Sequence, residues 1–342
     1  MKILAIAWIC LSLLLTGCTG GHLGKILQAK PSRPERLSHV DLLREEAKFS
    51  ILLNKDPENA LAQHAHGRVL LALEQPRRAI ISLKKAAVLD ENNSDYKFWL
   101  GVAYAENGQA SEEQVWYMRA LQDDPQHVPA LVNLGNNYLK RRIFQPALNC
   151  YLRALAIDPS NAQALYNRAV IYNQLQQTAE EKLEWKLYLE AHPSGVLARE
   201  AVDHLNLLND FSYRNHYLGR RVLTLPAITY TPFSAGLTQS DRTSLSRIGS
   251  VAANFRGPLN ILVYQRNNGQ LARNRAIGIK AYLEQAYPAL AAENRMRISW
   301  FDVPEKKIVA GHIHRIDDST VFFLAVSPRK PIKLNKKGKI KR

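Results

Sequence analysis

Few side chains in this 342-residue chain are arranged for covalent chemistry, and the clearest is a thiol. Cys18 follows Leu15-Thr16-Gly17, at the end of an apolar run from Ile3 to Leu15 that Lys2 precedes. That run is short for a membrane span and has the length of a signal-peptide core. Small residues before a cut admit a peptidase. A cysteine at that place offers a nucleophilic sulfur for covalent attachment. An ordinary signal peptide with an incidental cysteine is the alternative. Cys10 leaves with the signal, so Cys150 is the only other thiol and no intramolecular disulfide is possible in the mature chain. His312 and His314 share one face of an extended stretch, but a metal needs at least a third ligand and none is near in sequence. His64 and His66 lie two apart on a helix and point different ways. There is no nucleophile elbow, phosphate-cradling loop or paired-carboxylate spacing. The expectation is a non-enzymatic chain with no cofactor and no metal.

The elements that carry these residues follow a beat. Pro57, Pro125, Pro159 and Pro193 stand 68, 34 and 34 residues apart, and Glu91 holds the missing position. A fixed period of this length means stacked helical hairpins rather than one globular core. From Val128 to Asp158, the first helix carries Leu131, Leu134, Gly135 and Tyr138, and the second carries Ala147, Tyr151 and Ala154. Spacings of three and four put each set on one helical face. Gly135 and Ala147 are small where two helices must approach. The preceding unit repeats the set as Leu100, Gly101, Tyr104, Tyr117, Ala120 and Pro125. The first unit keeps Gly67, Leu70, Ala79, Leu83 and Ala86. The fourth keeps Leu165, Ala169, Tyr172, Trp185 and Pro193, with Glu181 where a small residue is usual.

These residues resemble the tetratricopeptide repeat (TPR) family over residues 37–210, with Ser38–Asn54 as an unpaired second helix and Val196–Leu208 as a capping helix. The resemblance implies an α-helical TPR solenoid whose first helices line a groove that holds a peptide. It places Asn133 and Asn167 on that wall, with Asn136 and Asn173 nearby. An amide both donates and accepts, so it can pair with an extended backbone whatever the side chains. The bland alternative is that these are solvated polar residues. The family's clamp for a terminal carboxylate needs lysines, and Phe98 and Val132 stand in that register.

Thr16-Gly17-Cys18 resembles a bacterial lipobox. It implies a lipoprotein signal peptide at 1–17, lipidation of Cys18 and a tether over 18–36. Thr19 rather than aspartate after the cysteine favours the outer membrane, with the protein facing the periplasm. Charge then divides by segment. Residues 37–210 hold 18 basic and 22 acidic side chains, residues 211–328 hold 15 and 7, and the basic tail 329–342 holds eight and none. In a periplasmic setting such a balance points to lipid headgroups or wall carboxylates rather than nucleic acid.

From Arg220 the beat stops. Val222–Tyr230, Leu259–Gln265, Met296–Phe301 and Thr320–Val326 read as strands, and Thr238–Phe255 and Gln270–Ala286 as helices. The expected domain spans 218–328 as a small α+β fold, β-α-β-α-β-β. That order, with Leu271-Ala272-Arg273-Asn274-Arg275-Ala276, resembles the C-terminal domain of the OmpA family. The resemblance makes Arg275 a possible ligand for a carboxylate of the wall peptide, since a guanidinium donates two parallel hydrogen bonds. The family's Thr-Asp pair after the second strand is absent, and Asp317-Asp318 reads as a polar turn. The leading expectation is an outer-membrane lipoprotein whose TPR groove holds a protein partner, a pilus or secretin subunit, in an envelope machine. The closest families in type are the tight-adherence (Tad/Flp) pilus lipoproteins, then the type IV pilotins. The competing expectation is a tether binding peptidoglycan through the OmpA-like domain.

Overall fold

A computed structural model of the protein describes residues 38–324, apart from Pro232, Arg256 and Asn294. The expected signal peptide, Cys18, the expected tether and the basic tail lie outside the described residues. The chain divides into two compact units, residues 1–164 and 165–342.

In the first unit, helices α1 (His39–Lys55), α2 (Ala60–Ala72), α3 (Pro76–Leu89), α4 (Ser94–Glu106), α5 (Ala110–Asp123), α6 (Val128–Lys140) and α7 (Phe144–Ile157) follow one another, and each packs on the next. The hairpins are α2–α3, α4–α5 and α6–α7, with α1 as the flanking helix. The first helices are capped by a second 34-residue series. Asn59, Asn93 and Asn161 accept the backbone N–H groups of Ala62, Tyr96 and Ala164, and His127 does the same for Ala130 through Nδ1. Each asparagine amide also donates to the aspartate three residues earlier, Asp56, Asp90 or Asp158. Such caps are worth about 1 kcal/mol each. The bends inside the hairpins pass through left-handed backbone at Glu74, Gly108, Arg142 and Gln176, again 34 apart.

The close approach expected at the glycines is present. A Cβ on Gly101 would lie 2.6 Å from the Tyr117 ring, and one on Gly135 would lie 2.6 Å from the Tyr151 ring. A Cβ on Gly67 would overlap Leu83. Each contact joins residues 16 apart, a small one on the first helix and a large one on the second. All three large partners are fully buried.

In the second unit, α8 (Ala162–Gln174) continues into α9 (Thr178–Ala191) and α10 (Val196–Leu207). The same 16-residue pair recurs as Ala169 and Trp185, both fully buried. Trp185 stacks on His204 of α10 at 4.6 Å and meets Tyr166 of α8 edge-on at 5.1 Å.

The β-region differs from the expected β-α-β-α-β-β order. Its elements are β1 (Tyr213–Leu218), β2 (Arg221–Pro226), α11 (Gln239–Ala253), β3 (Leu259–Gln265), α12 (Gly269–Ala286), β4 (Met296–Phe301), β5 (Glu305–Val309), β6 (His312–Ile316) and β7 (Asp318–Leu324). Three strands were not foreseen. β1 reads Tyr-Arg-Asn-His-Tyr-Leu, whose polar residues hide the alternation; Arg214 and His216 are nonetheless buried. β5 and β6 carry charged residues on both faces and imidazoles on one, and form a separate two-stranded hairpin. The strand expected at 222–230 ends at Pro226. The five-stranded sheet runs β2-β1-β7-β3-β4, with β1/β7 and β3/β4 parallel. One sheet face and α11 and α12 enclose a core of Leu245, Ile248, Ile261, Val263, Ile279, Leu283 and Phe322. α10 packs on β1 and β2, so the boundary between compact units falls inside α8 rather than near residue 210.

Candidate functional site

The first-helix residues singled out in sequence have distinct surroundings. Asn133, on α6, is half-buried and donates from Nδ2 to the Pro129 carbonyl at 2.9 Å, one turn back on its own helix. Asn136 accepts from the Tyr151 hydroxyl at 2.7 Å and thereby ties α6 to α7. The neighbouring Asn137, which the sequence reading passed over, is the buried amide. It donates to Glu113 Oε2 at 2.9 Å and to the Ala110 carbonyl at 2.8 Å, joining α6 to the preceding hairpin. Burial raises the Glu113 carboxyl above its usual range, while this hydrogen bond pulls it back.

The amide position does not extend towards the amino terminus. Thirty-four residues before Asn133 stands Trp99, 2% exposed beneath the Arg68 guanidinium, which lies 4.5 Å from the ring centroid. His64 packs 4.7 Å from Tyr96 and 6.3 Å from Trp99. Burial, helped by the Arg68 charge, holds its imidazole down at about 4, so it is neutral near pH 7. The Asp95 carboxylate lies 3.5 Å from His127 Nε2, and that contact lowers its pKa against the effect of burial. Phe98 and Val132, at the register where a carboxylate clamp would want lysine, are buried. An aromatic and imidazole cluster thus joins α2, α4 and α6. Its sequence signal was the concentration of His64, Tyr96, Phe98 and Trp99 on first helices, with His127 at the cap of the next one.

In the second unit, Asn167 is half-exposed on α8, and Asn173 is exposed and donates to Glu181 Oε1 at 2.9 Å. Glu181 also accepts the Trp185 indole N–H at 3.1 Å. The carboxylate at this small-residue position is therefore a buried hydrogen-bond hub that ties α8 to α9. Glu113 holds the same register 68 residues earlier, two repeats back, and receives its own asparagine, Asn137.

Arg275, on α12, is 1% exposed. Its Nε donates to the Ser234 carbonyl at 2.9 Å, and Nη1 donates to Asp318 Oδ2 at 2.8 Å and to Gln265 Oε1. The guanidinium lies 3.9 Å from the Tyr230 ring centroid, and burial raises that phenol. Asp318 is not a turn residue. It opens β7 opposite Gln265, the last residue of β3, and its side chain is 39% exposed. Burial raises its pKa more than Arg275 lowers it. The carboxylate missing after the second strand in sequence thus reaches the arginine from another strand, through a register that no local motif encodes.

A second charged group sits where β1, β5 and β7 meet. Arg214 forms a two-pronged pair with Glu305, one arm at 2.9 Å, and also donates to Ser319 at 2.9 Å. Lys307 donates to Asn206 of α10 at 2.9 Å, and burial brings its amine down to about 8. His216 is almost fully buried and is held down at about 3 by burial and by the Arg214 charge. Among the described residues, no group of three or more His, Cys, Asp or Glu stands where it could hold a metal ion. His314 Nδ1 is 3.0 Å from Asn209 Oδ1. Cys150 is buried on α7, its thiol pushed up to about 11 by burial.

Comparison with known proteins agrees with the helical geometry. Residues 64–128 match a tetratricopeptide repeat model and residues 144–176 match a TPR repeat model. The helical part of the chain carries tetratricopeptide repeats. The chain is similar to the probable UDP-N-acetylglucosamine–peptide N-acetylglucosaminyltransferase SPINDLY of Hordeum vulgare, at 29% identity over 177 residues, 47% of this chain and 19% of that protein. It is also similar to tetratricopeptide repeat protein 6 of Homo sapiens, at 29% identity over 122 residues, 36% of this chain and 23% of that one. The chain thus spans about a fifth of the length of these curated relatives. Among solved structures it is similar to PilW, described as a widely conserved type IV pilus biogenesis factor, with a TM-score of 0.44, 20% identity, and coverage of 49% of this chain and 80% of that one. It is similar to pilF of Pseudomonas aeruginosa with a TM-score of 0.45, 19% identity, and coverage of 50% and 77%.

Proposed function

We propose that this chain is a non-enzymatic scaffold that is anchored to the outer membrane through lipid on Cys18, faces the periplasm and holds a segment of a pilus or secretin subunit on the first-helix faces of its repeats. The observation that carries the reading is the 16-residue packing pair. Gly67–Leu83, Gly101–Tyr117 and Gly135–Tyr151 bring the two helices of each hairpin into direct contact and fix which faces turn outward. On the first helices, Asn133 and Asn167 stand at partly exposed positions. Tetratricopeptide repeats bind protein and peptide partners, and amides suit an extended backbone because they recognise no particular side chain. The anchor rests on the sequence, where charge, core length and Thr16-Gly17-Cys18 agree. The tight-adherence pilus systems remain the preferred setting by resemblance. Mass spectrometry of the mature start should find acyl groups on Cys18; an unmodified start removes the anchor. Titration with purified pilus and secretin subunits should show saturable binding that Asn133→Ala and Asn167→Ala weaken. If neither subunit binds, the partner class is wrong.

One observation favours a second reading, a cell-wall tether. Asp318 beside Arg275 restores in space the acid–arginine pairing that the sequence lacks. Because Arg275 is buried, a wall peptide would meet Asp318 first. Sedimentation with purified sacculi should then retain the protein and lose it with Asp318→Ala; no retention of the unaltered chain ends this reading.

A further inference from the structure

The β5–β6 hairpin has two faces of opposite character. Its inner face is fixed to the rest of the second unit by Glu305 on Arg214, Lys307 on Asn206 and His314 on Asn209. Its outer face carries two cross-strand pairs, Ile308 opposite Ile313 and Lys306 opposite Arg315. The isoleucines are 71% and 64% exposed and stand beside a two-residue turn, Ala310-Gly311, with both residues in left-handed backbone. Lys306 and Arg315 are exposed, and neither makes an ion pair or side-chain hydrogen bond with a described residue.

Both pairs are unfavourable in isolation. Like charges directly opposite across two strands repel. Two large aliphatic side chains standing together in water forgo the free energy of burial. One surroundings relieves both at once: an apolar layer bordered by negative charge. The order along the hairpin fits, with the apolar pair at the tip and the cations one pair back. Segment charge points the same way, since residues 211–328 hold 15 basic and 7 acidic side chains. We infer that the outer face of this hairpin docks on an anionic phospholipid surface, with Ile308 and Ile313 entering the boundary between headgroups and acyl chains and Lys306 and Arg315 meeting the headgroup phosphates. This contact needs no acyl group on Cys18 and involves no repeat residue, so it stands or falls apart from the function proposed above.

The test reads the tip itself, because the basic tail would bring any variant to a negative surface. The full chain carries a bimane probe on Ala310→Cys and is mixed with vesicles of phosphatidylcholine plus phosphatidylglycerol, or of phosphatidylcholine alone. Far-UV circular dichroism confirms that each variant is folded. With the anionic vesicles, bimane emission should shift to the blue and be quenched by shallow doxyl-labelled lipid; with phosphatidylcholine alone it should do neither. Lys306→Ser with Arg315→Ser should lower the inserted-to-free ratio roughly 25-fold, at about five-fold per basic residue near the surface. Ile308→Ser with Ile313→Ser should abolish quenching while the protein still sediments with the vesicles. A tip that remains in water on anionic vesicles overturns the inference. So does equal insertion into both compositions, or a tip that is shielded only by an acidic protein.

Discussion

The repeats and the β-region fill their interiors by opposite rules. In the repeats, the caps and the closest helix–helix contacts recur at fixed distances along the chain. A cap recurs at 59, 93, 127 and 161, and a small-to-large contact joins residues 16 apart. In the β-region, the residues that hold the fold together are far apart in sequence: Arg275 with Asp318, and Arg214 with Glu305 and Ser319, 91 and 105 residues away. The repeats therefore distribute stability as many similar local terms, as expected of a quasi-one-dimensional array. The β-region concentrates it in a few buried charged contacts, where loss of one partner strands the other.

The sharpest way to break this contrast is Glu305→Ala. It leaves Arg214 buried without its carboxylate and should destabilise the β-region by about 3–5 kcal/mol, read from urea unfolding. Glu305→Gln should recover part of that through Ser319 and Arg214. An effect below ~1 kcal/mol would mean that the pair is in practice solvated.

Acid should reach both regions through buried imidazoles. His64 and His216 have folded pKa values of about 4 and about 3, below the usual 6.5. The unfolded chain therefore takes up their protons first. Stability is unaffected by these groups above pH 6.5 and falls as pH drops towards 4, by roughly 3 kcal/mol for His64 at about 1.4 kcal/mol per pH unit. His64→Phe should flatten that part of the profile, measured by thermal unfolding across pH. A profile identical to that of the unaltered chain would place His64 in water.

Gly101→Ala is smaller in effect. The new methyl meets the Tyr117 ring and should destabilise the repeats by about 1–3 kcal/mol. Combined with Gly135→Ala, in the next hairpin, the costs should nearly add. Arg214→Ala with Ser319→Ala, in one network, should not. Arg142→Gly should be the mildest change, stabilising by ~1 kcal/mol, because a side chain is relieved of left-handed backbone at a bend where Gly108 already serves in the preceding unit.

The same contrast explains what the sequence made legible. The hairpins, their glycines and α11 and α12 with their boundaries could be read because their signals are periodic and local. Thr238 and Asn268 cap α11 and α12 within a residue of the expected starts. β1 could not be read, since its buried Arg214 and His216 look like surface residues until Glu305 and Phe322 are brought beside them. Asp318 looked like a turn for the same reason: only the β3–β7 register gives it Arg275. Of the candidate site residues, the sequence placed Asn133, Asn136 and Asn167 on first helices, but not which amides would be taken up inside the hairpins. Asn136 answers to Tyr151 and Asn173 to Glu181, while Asn137 escaped notice.

The central claim, that the first-helix face holds another protein's segment, is tested most directly by in-cell photo-crosslinking from position 133 on α6, with the exposed position 145 on the second helix α7 as control. The account predicts an adduct with a pilus or secretin subunit from position 133 and none from position 145. Equal labelling from both positions, or none from 133 while 145 is productive, would contradict it.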